Sequence, residues 1–486
     1  MSARFADSQH SLTQDDLLAR EAEVSAWLLD ADRRNARHGL LADNGVPWAI
    51  VDRVLHRNAL VSVPLPRHFS PAQLAHVIED AGLDRIITDT PDKVATLPGS
   101  WRHIDNGVFG LQRWVRTMPP VARRPLPMDT CKITYTSGST GSPKGVCLSK
   151  EAMDRVVNSL MGVLRPLAIT RHLCLLPLST LLDNLVSVHV APALGAAVSL
   201  PSSSMTGIGY GGLDVPRMLQ CITEHSPGSL LLVPELLRVL VASVAQGWRA
   251  PASLRFIAVG GASVSAELLQ AAHRAGLPVY EGYGLSESAS VVALNLPGAE
   301  RKGSVGRVLP HSEVRVDADG EIHVRGATMH GYLGDDRGQS SKSLDEIATG
   351  DLGFIDGEGF LHVRGRRKNL LITSLGRNVS PEWVERELMT SPSIAQVVVF
   401  GEARPFLSAL IYPRSAQVNT AELSAAIDAA NHRLPEYAQV RRWAKLPAPL
   451  RVDDGAITAN GRTRRDIVFS RHERLIEELY VDAIAS

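Results

Sequence analysis

Short apolar runs alternate with longer amphipathic segments through the first two thirds of the chain. Residues 60–65, 230–233 and 256–259 are runs of the first kind, and residues 215–225 and 234–245 are segments of the second kind. The runs have the length of buried strands, and the segments have the apolar spacing of helices. Alternation of strand and helix is typical of a parallel sheet with helices on both faces. The pattern therefore predicts a large α/β domain.

The pattern changes after about residue 303. Residues 313–317 and 321–325 alternate polar and apolar positions with a period of two around Asp319-Gly320, which predicts an antiparallel hairpin. A basic turn at 366–369 leads into a smaller α/β region. We place the domain boundary there, so that residues 1–367 form the N-terminal domain and residues 368–486 a C-terminal domain.

The composition fits a globular protein of more than one domain. The chain has 486 residues, of which 44% are hydrophobic and 21% are charged. Lys plus Arg and Asp plus Glu both number 51, so the formal net charge is zero. Since proteins that bind polyanions normally carry a basic excess or stripe, we expect no nucleic-acid partner. The sequence does not indicate an oligomeric state.

The cysteines and the N-terminal region bear on the cellular compartment. The four cysteines show no ligand spacing, so we expect free thiols of a reducing compartment. The first twenty residues are polar, so no signal peptide is expected. The most apolar stretch, residues 230–245, contains Glu235 and Arg238, and we expect no membrane span. A cytoplasmic protein is the expectation.

A loop rich in glycine and hydroxyl groups follows the predicted strand that ends near Tyr135. Glycine allows backbone N–H groups to approach an anion closely, the hydroxyls add donors, and Lys144 adds a mobile positive charge. The loop predicts a phosphate site whose residues are Thr136, Ser137, Gly138, Ser139, Thr140 and Gly141. It is not a Walker A loop, because Pro143 separates Ser142 from Lys144. A surface turn of the same composition is the alternative.

A second candidate segment spans residues 280–287, Tyr-Glu-Gly-Tyr-Gly-Leu-Ser-Glu. Tyr283 offers a flat ring on which a base can stack, and Ser286 offers a hydroxyl to a phosphate. Glu287 offers a hard carboxylate oxygen, which suits Mg²⁺. The nucleotide-contact residues predicted here are Glu281, Gly282, Tyr283, Gly284, Ser286 and Glu287. The alternative is a glycine-rich turn between a strand and a helix, capped by Ser286.

These two segments resemble the adenylate-forming superfamily, which comprises acyl- and aryl-CoA synthetases, peptide-synthetase adenylation domains and luciferases. Residues 136–145 match the signature loop of that family nearly letter for letter, and the resemblance covers nearly the whole chain from about residue 40. It implies an α/β fold in which a large N-terminal domain of mixed α/β sheets and a β-hairpin region carries a small mobile C-terminal α/β domain.

The resemblance implies further contacts with the nucleotide. Gly261 and Ala262 fall in the turn that binds the base and borders the acyl pocket. Asp351, in Thr-Gly-Asp, falls at the ribose position, where a carboxylate accepts hydrogen bonds from sugar hydroxyls. Arg366 falls at a second sugar or phosphate contact.

The resemblance also implies a moving C-terminal domain and a thiol substrate. Lys368 falls at the hinge on which that domain rotates, and Gly376 falls on a loop that lines the thiol tunnel. A solvated basic turn is the alternative for residues 366–368. The implied reaction converts a small-molecule carboxylic acid, ATP and Mg²⁺ into acyl-AMP, and then transfers the acyl group to CoA or to the phosphopantetheine of an acyl carrier protein.

Two positions depart from the family pattern. Relatives carry a lysine that bridges the substrate carboxylate and the α-phosphate, and this chain has Arg462 there. Arginine keeps the charge as a planar fork, so adenylation by Lys144, Glu287 and Arg462 is expected; a nucleotide-binding or acyl-adenylate-binding protein with impaired adenylation is the alternative. Near Ser179 and Thr180, many relatives have an aromatic residue and a histidine, whereas this chain has small hydroxyls and the leucines Leu181, Leu182 and Leu185. They hint at a fatty acyl group, although an aryl acid and a purely structural core both remain open.

Overall fold

The computed structural model describes residues 4–29, 36–67, 69–120, 123–136, 143–209, 212–262, 264–334, 346–373, 378–458 and 461–481. In chain order the strands are β1 Phe5–Ala6, β2 Ser11–Leu12, β3 Arg37–Leu41, β4 Val61–Pro64, β5 Arg85–Thr88, β6 Trp101–Asn106, β7 Gln112–Arg116, β8 Thr130–Thr136, β9 Lys144–Ser149, β10 Arg171–Leu173, β11 Ala197–Ser199, β12 Ile208–Gly209, β13 Gly212–Leu213, β14 Ser229–Leu232, β15 Phe256–Val259, β16 Val279–Leu285, β17 Ser290–Leu294, β18 Arg307–Val308, β19 Ser312–Val316, β20 Glu321–Gly326, β21 Gly331–Tyr332, β22 Ile347–Ile355, β23 Leu361–Arg366, β24 Leu371–Ile372, β25 Asn378–Val379, β26 Ile394–Phe400, β27 Leu407–Pro413 and β28 Val440–Lys445.

The helices follow the predicted amphipathic segments. They are α1 Gln14–Leu29, α2 Val46–Arg57, α3 Pro71–Asp80, α4 Pro91–Val94, α5 Lys150–Leu164, α6 Leu181–Asp183, α7 Ala191–Ala193, α8 Ser203–Thr206, α9 Val215–His225, α10 Pro234–Ala245, α11 Ala266–Arg274, α12 Pro381–Leu388, α13 Thr420–Asn431 and α14 Arg465–Glu478. Short 3₁₀ turns lie at Val108–Gly110, Arg165–Leu167, Ser286–Ser288, Arg367–Asn369 and Glu436–Ala438, and a π-helical segment spans Asn184–Val190.

The alternating strands and helices of the first 330 residues build two large sheets. Within the described ranges, one sheet has nine strands in the order β18-β17-β16-β15-β14-β10-β11-β1-β2, and the other has eight in the order β21-β9-β8-β4-β3-β5-β7-β6. The centres of both sheets are parallel, and antiparallel strands extend their edges. The predicted α/β fold is confirmed; the alternation alone indicated a parallel sheet, the resemblance implied several sheets, and the structure has two large ones.

The second part of the chain forms smaller sheets. The predicted hairpin is β19 and β20, which pair with Val314 opposite Val324, and β22 and β23 extend it into an antiparallel sheet. The chain then passes from β23 through the 3₁₀ turn Arg367–Asn369 into the C-terminal region. There β27 pairs antiparallel with β26 and parallel with β28. The boundary between residues 367 and 368 stays a prediction.

A buried group of charged and polar side chains lies between the strand that leads to the predicted phosphate loop and the neighbouring helices. Lys132 of β8 donates to Asp52 Oδ1 at 2.8 Å and to Asn184 Oδ1 at 2.5 Å, and Asn184 Nδ2 donates to Asp52 Oδ2 at 2.8 Å. Burial alone would raise the pKa of Asp52, but Lys132, His189 and Asn184 hold it well below its usual value. These contacts fix β8 against α2 and the π-helical segment.

No helix in the described parts of the chain is both long enough and apolar enough to span a bilayer.

Replacing Lys132 should strongly destabilise the protein. The change Lys132→Met leaves Asp52 as a buried carboxylate without its cation, which typically costs about 3–5 kcal/mol. The double change Lys132→Met with Asp52→Leu should recover most of this loss, because it removes both charges. Urea unfolding measures the free energies. The control is Lys150→Met, whose ion pair with Asp154 is partly exposed and should contribute less than about 1 kcal/mol. Equal losses in the single and double variants would contradict the charge argument.

Candidate active site

The predicted phosphate loop joins two strands of the eight-stranded sheet. β8 and β9 are antiparallel, and Thr136 lies opposite Lys144. The predicted loop contacts Ser137, Gly138, Ser139, Thr140 and Gly141 lie outside the described residues. At the end of the loop, the carbonyl of Pro143 lies 3.0 Å from His76 Nε2. The exposed Lys144 places its Nζ 5.5 Å from the ring centroid of Tyr332, within the range of a cation–π contact.

The turn Ser286–Ser288 places Glu287 near the phosphate loop. The hydroxyl of Tyr332 donates to Glu287 Oε1 at 2.9 Å. Within the described part of the chain, Glu287 Oε2 has no hydrogen-bond partner, so this oxygen is available to a cation. Magnesium is commonly held by one or two carboxylates together with substrate phosphates, and the donor set fits that ion.

A carboxylate on β22 connects the segment of residues 280–287 to the strand that carries Arg366. Asp351 is buried, and its Oδ2 accepts a hydrogen bond of 2.7 Å from the hydroxyl of Tyr283 on β16. Its Oδ1 lies 2.9 Å from Arg366 Nε on β23. Each carboxylate oxygen has two lone pairs, so both can accept a further hydrogen bond. The residues predicted for base and ribose are thus brought together, with Asp351 held in one orientation.

Two positions in this region favour glycine, one because of close packing and the other because of its backbone conformation. Gly284 lies at a bulge between β16 and β17, where an added Cβ would be 1.6 Å from the carbonyl oxygen of Ser290. Gly261 has φ of 82°, which favours glycine, and it follows β15 in the turn that includes Ala262. The neighbouring Gly282 lies on β16, so its backbone borders the same cleft as Gly261.

Glu281 is a buried carboxylate beside this turn. Burial raises its pKa to about 8, although Arg386 of α12 and a hydrogen bond from the backbone N–H of Val264 act in the opposite direction. The side chain is thus mostly protonated at neutral pH. As a neutral acid it can donate one hydrogen bond and accept others.

Arg462 reaches this cleft from the C-terminal region. Its Nη2 donates to the carbonyl oxygen of Gly261 at 3.1 Å. Partial desolvation, and then the neighbouring charge of Arg366, lower the pKa of Arg462, while Asp351 and Glu287 raise it. The residue lies in a tight turn where Thr458 Oγ1 accepts a hydrogen bond of 3.0 Å from the Arg462 N–H. The turn therefore directs a cation at the cleft that contains the predicted nucleotide contacts.

The remaining predicted residues are only partly placed. Lys368 lies in the turn Arg367–Asn369, and nothing is described of its side chain. Gly376 lies outside the described residues. Ser286 begins the turn that carries Glu287.

Leu181 and Leu185 are buried in a hydrophobic cluster that includes Phe256 of β15, and the partly buried Leu182 and Tyr280 pack against it. These leucines therefore contribute to the core as well as bordering the strands of the cleft.

Sequence reasoning missed several residues that hold the cleft in place. Tyr332 lies in a short Gly-Tyr strand and carried no chemical signal of its own. The side-chain amide of Asn44 forms hydrogen bonds with two backbone groups. Its Nδ2 donates to the Leu176 carbonyl and its Oδ1 accepts from the Leu178 N–H, both at 2.8 Å. Asp183, whose pKa burial raises to about 6, accepts from the Leu176 N–H at 2.9 Å. Only the polar identity of Asn44 and Asp183 within apolar segments could have pointed to them.

Comparison with known proteins identifies the class. The AMP-binding enzyme family model matches residues 2–333, and the model of the AMP-binding enzyme C-terminal domain matches residues 368–483. The chain belongs to the AMP-binding enzyme family, which confirms the resemblance drawn from the two segments.

Among curated relatives, the long-chain-fatty-acid–CoA ligase FadD15 of Mycobacterium bovis is 27% identical over 89% of this chain and 86% of its own length. The indoleacetate–CoA ligase of Aromatoleum aromaticum is 34% identical over 57% of this chain and 55% of its own length.

Solved structures show the same fold. The anthranilate CoA ligase AuaEII in complex with anthranoyl-AMP superposes with a TM-score of 0.79 at 18% identity, covering 96% of this chain and 94% of that one. The o-succinylbenzoate CoA synthetase MenE of Bacillus subtilis, in complex with ATP and magnesium, has a TM-score of 0.71 at 22% identity and covers 96% of each chain.

Glutamine at position 281 should stabilise the protein, and more so as the pH rises. The folded-state pKa of about 8 lies above the ordinary value of 4.5, so the folded state binds a proton more tightly than the unfolded chain. The resulting cost is absent below pH 4.5, grows between pH 4.5 and 8, and is complete above pH 8. Glu281→Gln removes this cost. The melting temperature of Glu281→Gln relative to the parent should therefore be similar at pH 5 and clearly higher at pH 8. A difference that does not change with pH would contradict the assignment.

Proposed function

We propose that this protein is an AMP-forming acid–thiol ligase. The substrate carboxylate attacks the α-phosphorus of ATP, the bond to pyrophosphate breaks, and acyl-AMP forms. The sulfur of a thiol then attacks the acyl carbon, and AMP leaves as the thioester forms. Family membership supports the general activity, and the curated relatives named above are acid–CoA ligases.

The contact of Arg462 with the Gly261 carbonyl carries the proposal. It puts a guanidinium from the C-terminal region among Asp351, Arg366 and Glu287, where an acid and an α-phosphate would meet. A pure nucleotide-binding pocket has no need of a cation delivered from a separate domain. An arginine held there can bridge two anionic oxygens through parallel N–H groups. We assign Arg462 to aligning the substrate carboxylate with the α-phosphate.

The other residues have assigned roles in the same step. Lys144 and the backbone N–H groups of the phosphate loop stabilise the triphosphate and the leaving pyrophosphate, Tyr283 packs on the base, and Asp351 with Arg366 holds the ribose. Glu287 would hold Mg²⁺, which would neutralise charge on the phosphates. Positioning and preorganised charge supply the rate, and the substrate carboxylate is the nucleophile.

The acceptor is assigned to a thiol outside this chain. All four cysteines are buried and free. Burial raises the pKa of the Cys131 and Cys147 thiols to about 12 and that of Cys221 to about 11, so thiolate is scarce at neutral pH. CoA and the pantetheine of a carrier protein both satisfy this requirement.

The substrate is assigned to a carboxylic acid whose remaining part is apolar, either a fatty chain or an aryl group. The relatives include ligases named for a long-chain fatty acid and for indoleacetate. The leucines of the Leu181–Leu185 region, next to Phe256 and Tyr280, offer an apolar wall.

ATP–pyrophosphate exchange tests the proposal directly. A screen over fatty, aryl and amino acids should show exchange with one of the first two classes, after which CoA and a carrier protein are compared as acceptors. A protein that binds Mg·ATP and exchanges with no acid would support the alternative of a binding protein.

Substitutions at Arg462 should separate adenylation from ATP binding. Arg462→Ala should lower single-turnover acyl-AMP formation by about 10²–10³, because one preorganised charge is lost. ATP affinity should stay nearly unchanged, since Lys144, Glu287 and Asp351 lie on the N-terminal part. Arg462→Lys should retain or raise the rate, since it restores the residue of the relatives. Arg464→Ala is the matched control. Among the described residues, Arg464 has one ion pair, in which its Nη2 lies 3.9 Å from Asp466 Oδ2. An Ala variant as fast as the parent would remove Arg462 from the chemistry.

Proline at position 368 should affect the second half-reaction. Lys368 is the second residue of a 3₁₀ turn, where a backbone N–H has no partner within the turn, so the present arrangement tolerates proline. Rotation of the C-terminal domain requires a change in φ, which proline prevents. Lys368→Pro should keep acyl-AMP formation and lose most thioester formation, whereas Lys368→Ala removes the side chain without fixing φ. Equal losses in both half-reactions would argue against a hinge.

A further inference from the structure

A short segment, residues 329–333, joins the turn that carries Glu287 to the strand that leaves the phosphate loop. The Met329 N–H donates to the Glu287 carbonyl at 2.7 Å, and the Leu333 N–H donates to the Gly145 carbonyl at 2.8 Å. Between them, Tyr332 pairs with Val146 of β9. The two ends of the 329–333 segment are thus bonded to the two elements that carry Glu287 and Lys144.

The side chain of Tyr332 lies between these two charged groups. Its hydroxyl donates to Glu287 Oε1 at 2.9 Å, and its ring centroid is 5.5 Å from Lys144 Nζ. One phenol therefore contacts the carboxylate through its edge and the ammonium through its face.

The geometry points to Tyr332 as a positioning residue that keeps Glu287 and Lys144 apart and fixes each for its own substrate group. The inference rests on the proposed function, because it gives Glu287 to Mg²⁺ and Lys144 to the phosphates. In this assignment, Tyr332 does not itself bind the metal or the phosphates, and it acts through the side chains of Glu287 and Lys144.

The contacts recorded for the two charged groups support this assignment. Across the described residues, Lys144 and Glu287 form no ion pair with each other although both contact Tyr332. An ion pair between them would occupy the carboxylate oxygen that the metal needs and the ammonium that the phosphates need. The tyrosine hydroxyl fixes one carboxylate oxygen, which leaves Oε2 for the metal. The ring provides the ammonium with a weak neutral contact, which a phosphate easily replaces.

Two substitutions separate the functions of the hydroxyl and the ring. Tyr332→Phe removes the hydrogen bond to Glu287 and keeps the ring between the charges. Tyr332→Leu removes both, so Lys144 and Glu287 are free to pair. Tyr135→Phe is a matched control on the same sheet, since the hydroxyl of Tyr135 donates to Asp80 at 2.8 Å outside the cleft.

The experiment measures ATP binding by calorimetry without any acid, at a series of fixed free Mg²⁺ concentrations, together with the melting temperature. In Tyr332→Phe, the Mg²⁺ concentration for half-maximal ATP binding should rise about tenfold or more, as loss of an outer-shell partner typically causes. ATP affinity at saturating Mg²⁺ should change little. Tyr332→Leu should show the same shift and a further loss of ATP affinity of about two- to fivefold. Tyr135→Phe should lower the melting temperature with the parental Mg²⁺ dependence.

The outcomes distinguish this inference from the proposed function. Parental Mg²⁺ dependence in Tyr332→Phe, or an equal shift in Tyr135→Phe, would overturn the role of Tyr332. A parent that binds Mg·ATP but catalyses no pyrophosphate exchange would refute the ligase proposal, and the binding data would still decide the role of Tyr332. A parent that binds no Mg·ATP would overturn both.

Discussion

The Asp351 carboxylate is the group on which the arrangement of the cleft depends. One of its oxygens accepts a hydrogen bond from the hydroxyl of Tyr283, and the other faces the guanidinium of Arg366. Asp351 thus joins β16 of the nine-stranded sheet to β22 and β23 of the four-stranded sheet. Asp351 and Arg366 are also neighbours in the β-ladder, so the backbone fixes the pair before the side chains meet. A buried carboxylate needs such partners, because without them its desolvation would be costly. The same partners hold it where it can accept sugar hydroxyls.

Arg366 links this carboxylate to the start of the C-terminal region. The next residues form the turn Arg367–Asn369, in which Arg367 Nη1 lies 2.7 Å from Glu321 Oε2. The chain is thus anchored to the four-stranded sheet at the point where the hinge is predicted. Beyond it, Arg465 at the start of α14 places its Nη2 2.5 Å from Oε1 of the buried Glu385 on α12. That ion pair fixes α14 against α12, and it supports the turn from which Arg462 extends into the cleft.

The sequence predicted the elements best where local patterning determines them. The helices Val215–His225 and Pro234–Ala245 have the expected bounds, because each begins next to a proline and carries a clear apolar face. The predicted hairpin is present because Asp319-Gly320 supplies its turn. The alternation alone did not indicate which strands join which sheet, since a parallel strand gives the same apolar run whichever sheet it joins. The antiparallel edge strands β6 and β7 were missed for another reason, because their residues are partly polar and do not form an apolar run.

The candidate site could be proposed from the sequence where chemistry is concentrated in one segment, as at Tyr283, Glu287 and Asp351, whose roles stay predictions. It was not predictable where a contact joins distant segments through ordinary residues. Tyr332 is 45 positions from Glu287 in the chain, and Asn44 is 134 from Leu178. Lys132 lies on β8 and pairs with Asp52 of α2, 80 positions away in the chain. Such pairs arise from the tertiary fold, and a single sequence contains no local periodicity that encodes them.

The contact between Arg462 and Gly261 explains how arginine can occupy a position where relatives carry lysine. A guanidinium has five N–H donors in a fixed plane, and the contact with the Gly261 carbonyl uses one of them. The rest remain free to face an acid and a phosphate while that one bond holds the plane in position. The positive φ of Gly261 brings its carbonyl into a turn that an L-residue would adopt only with strain. The arginine and the glycine therefore form one structural unit, in which the Gly261 turn orients the cation from the C-terminal region.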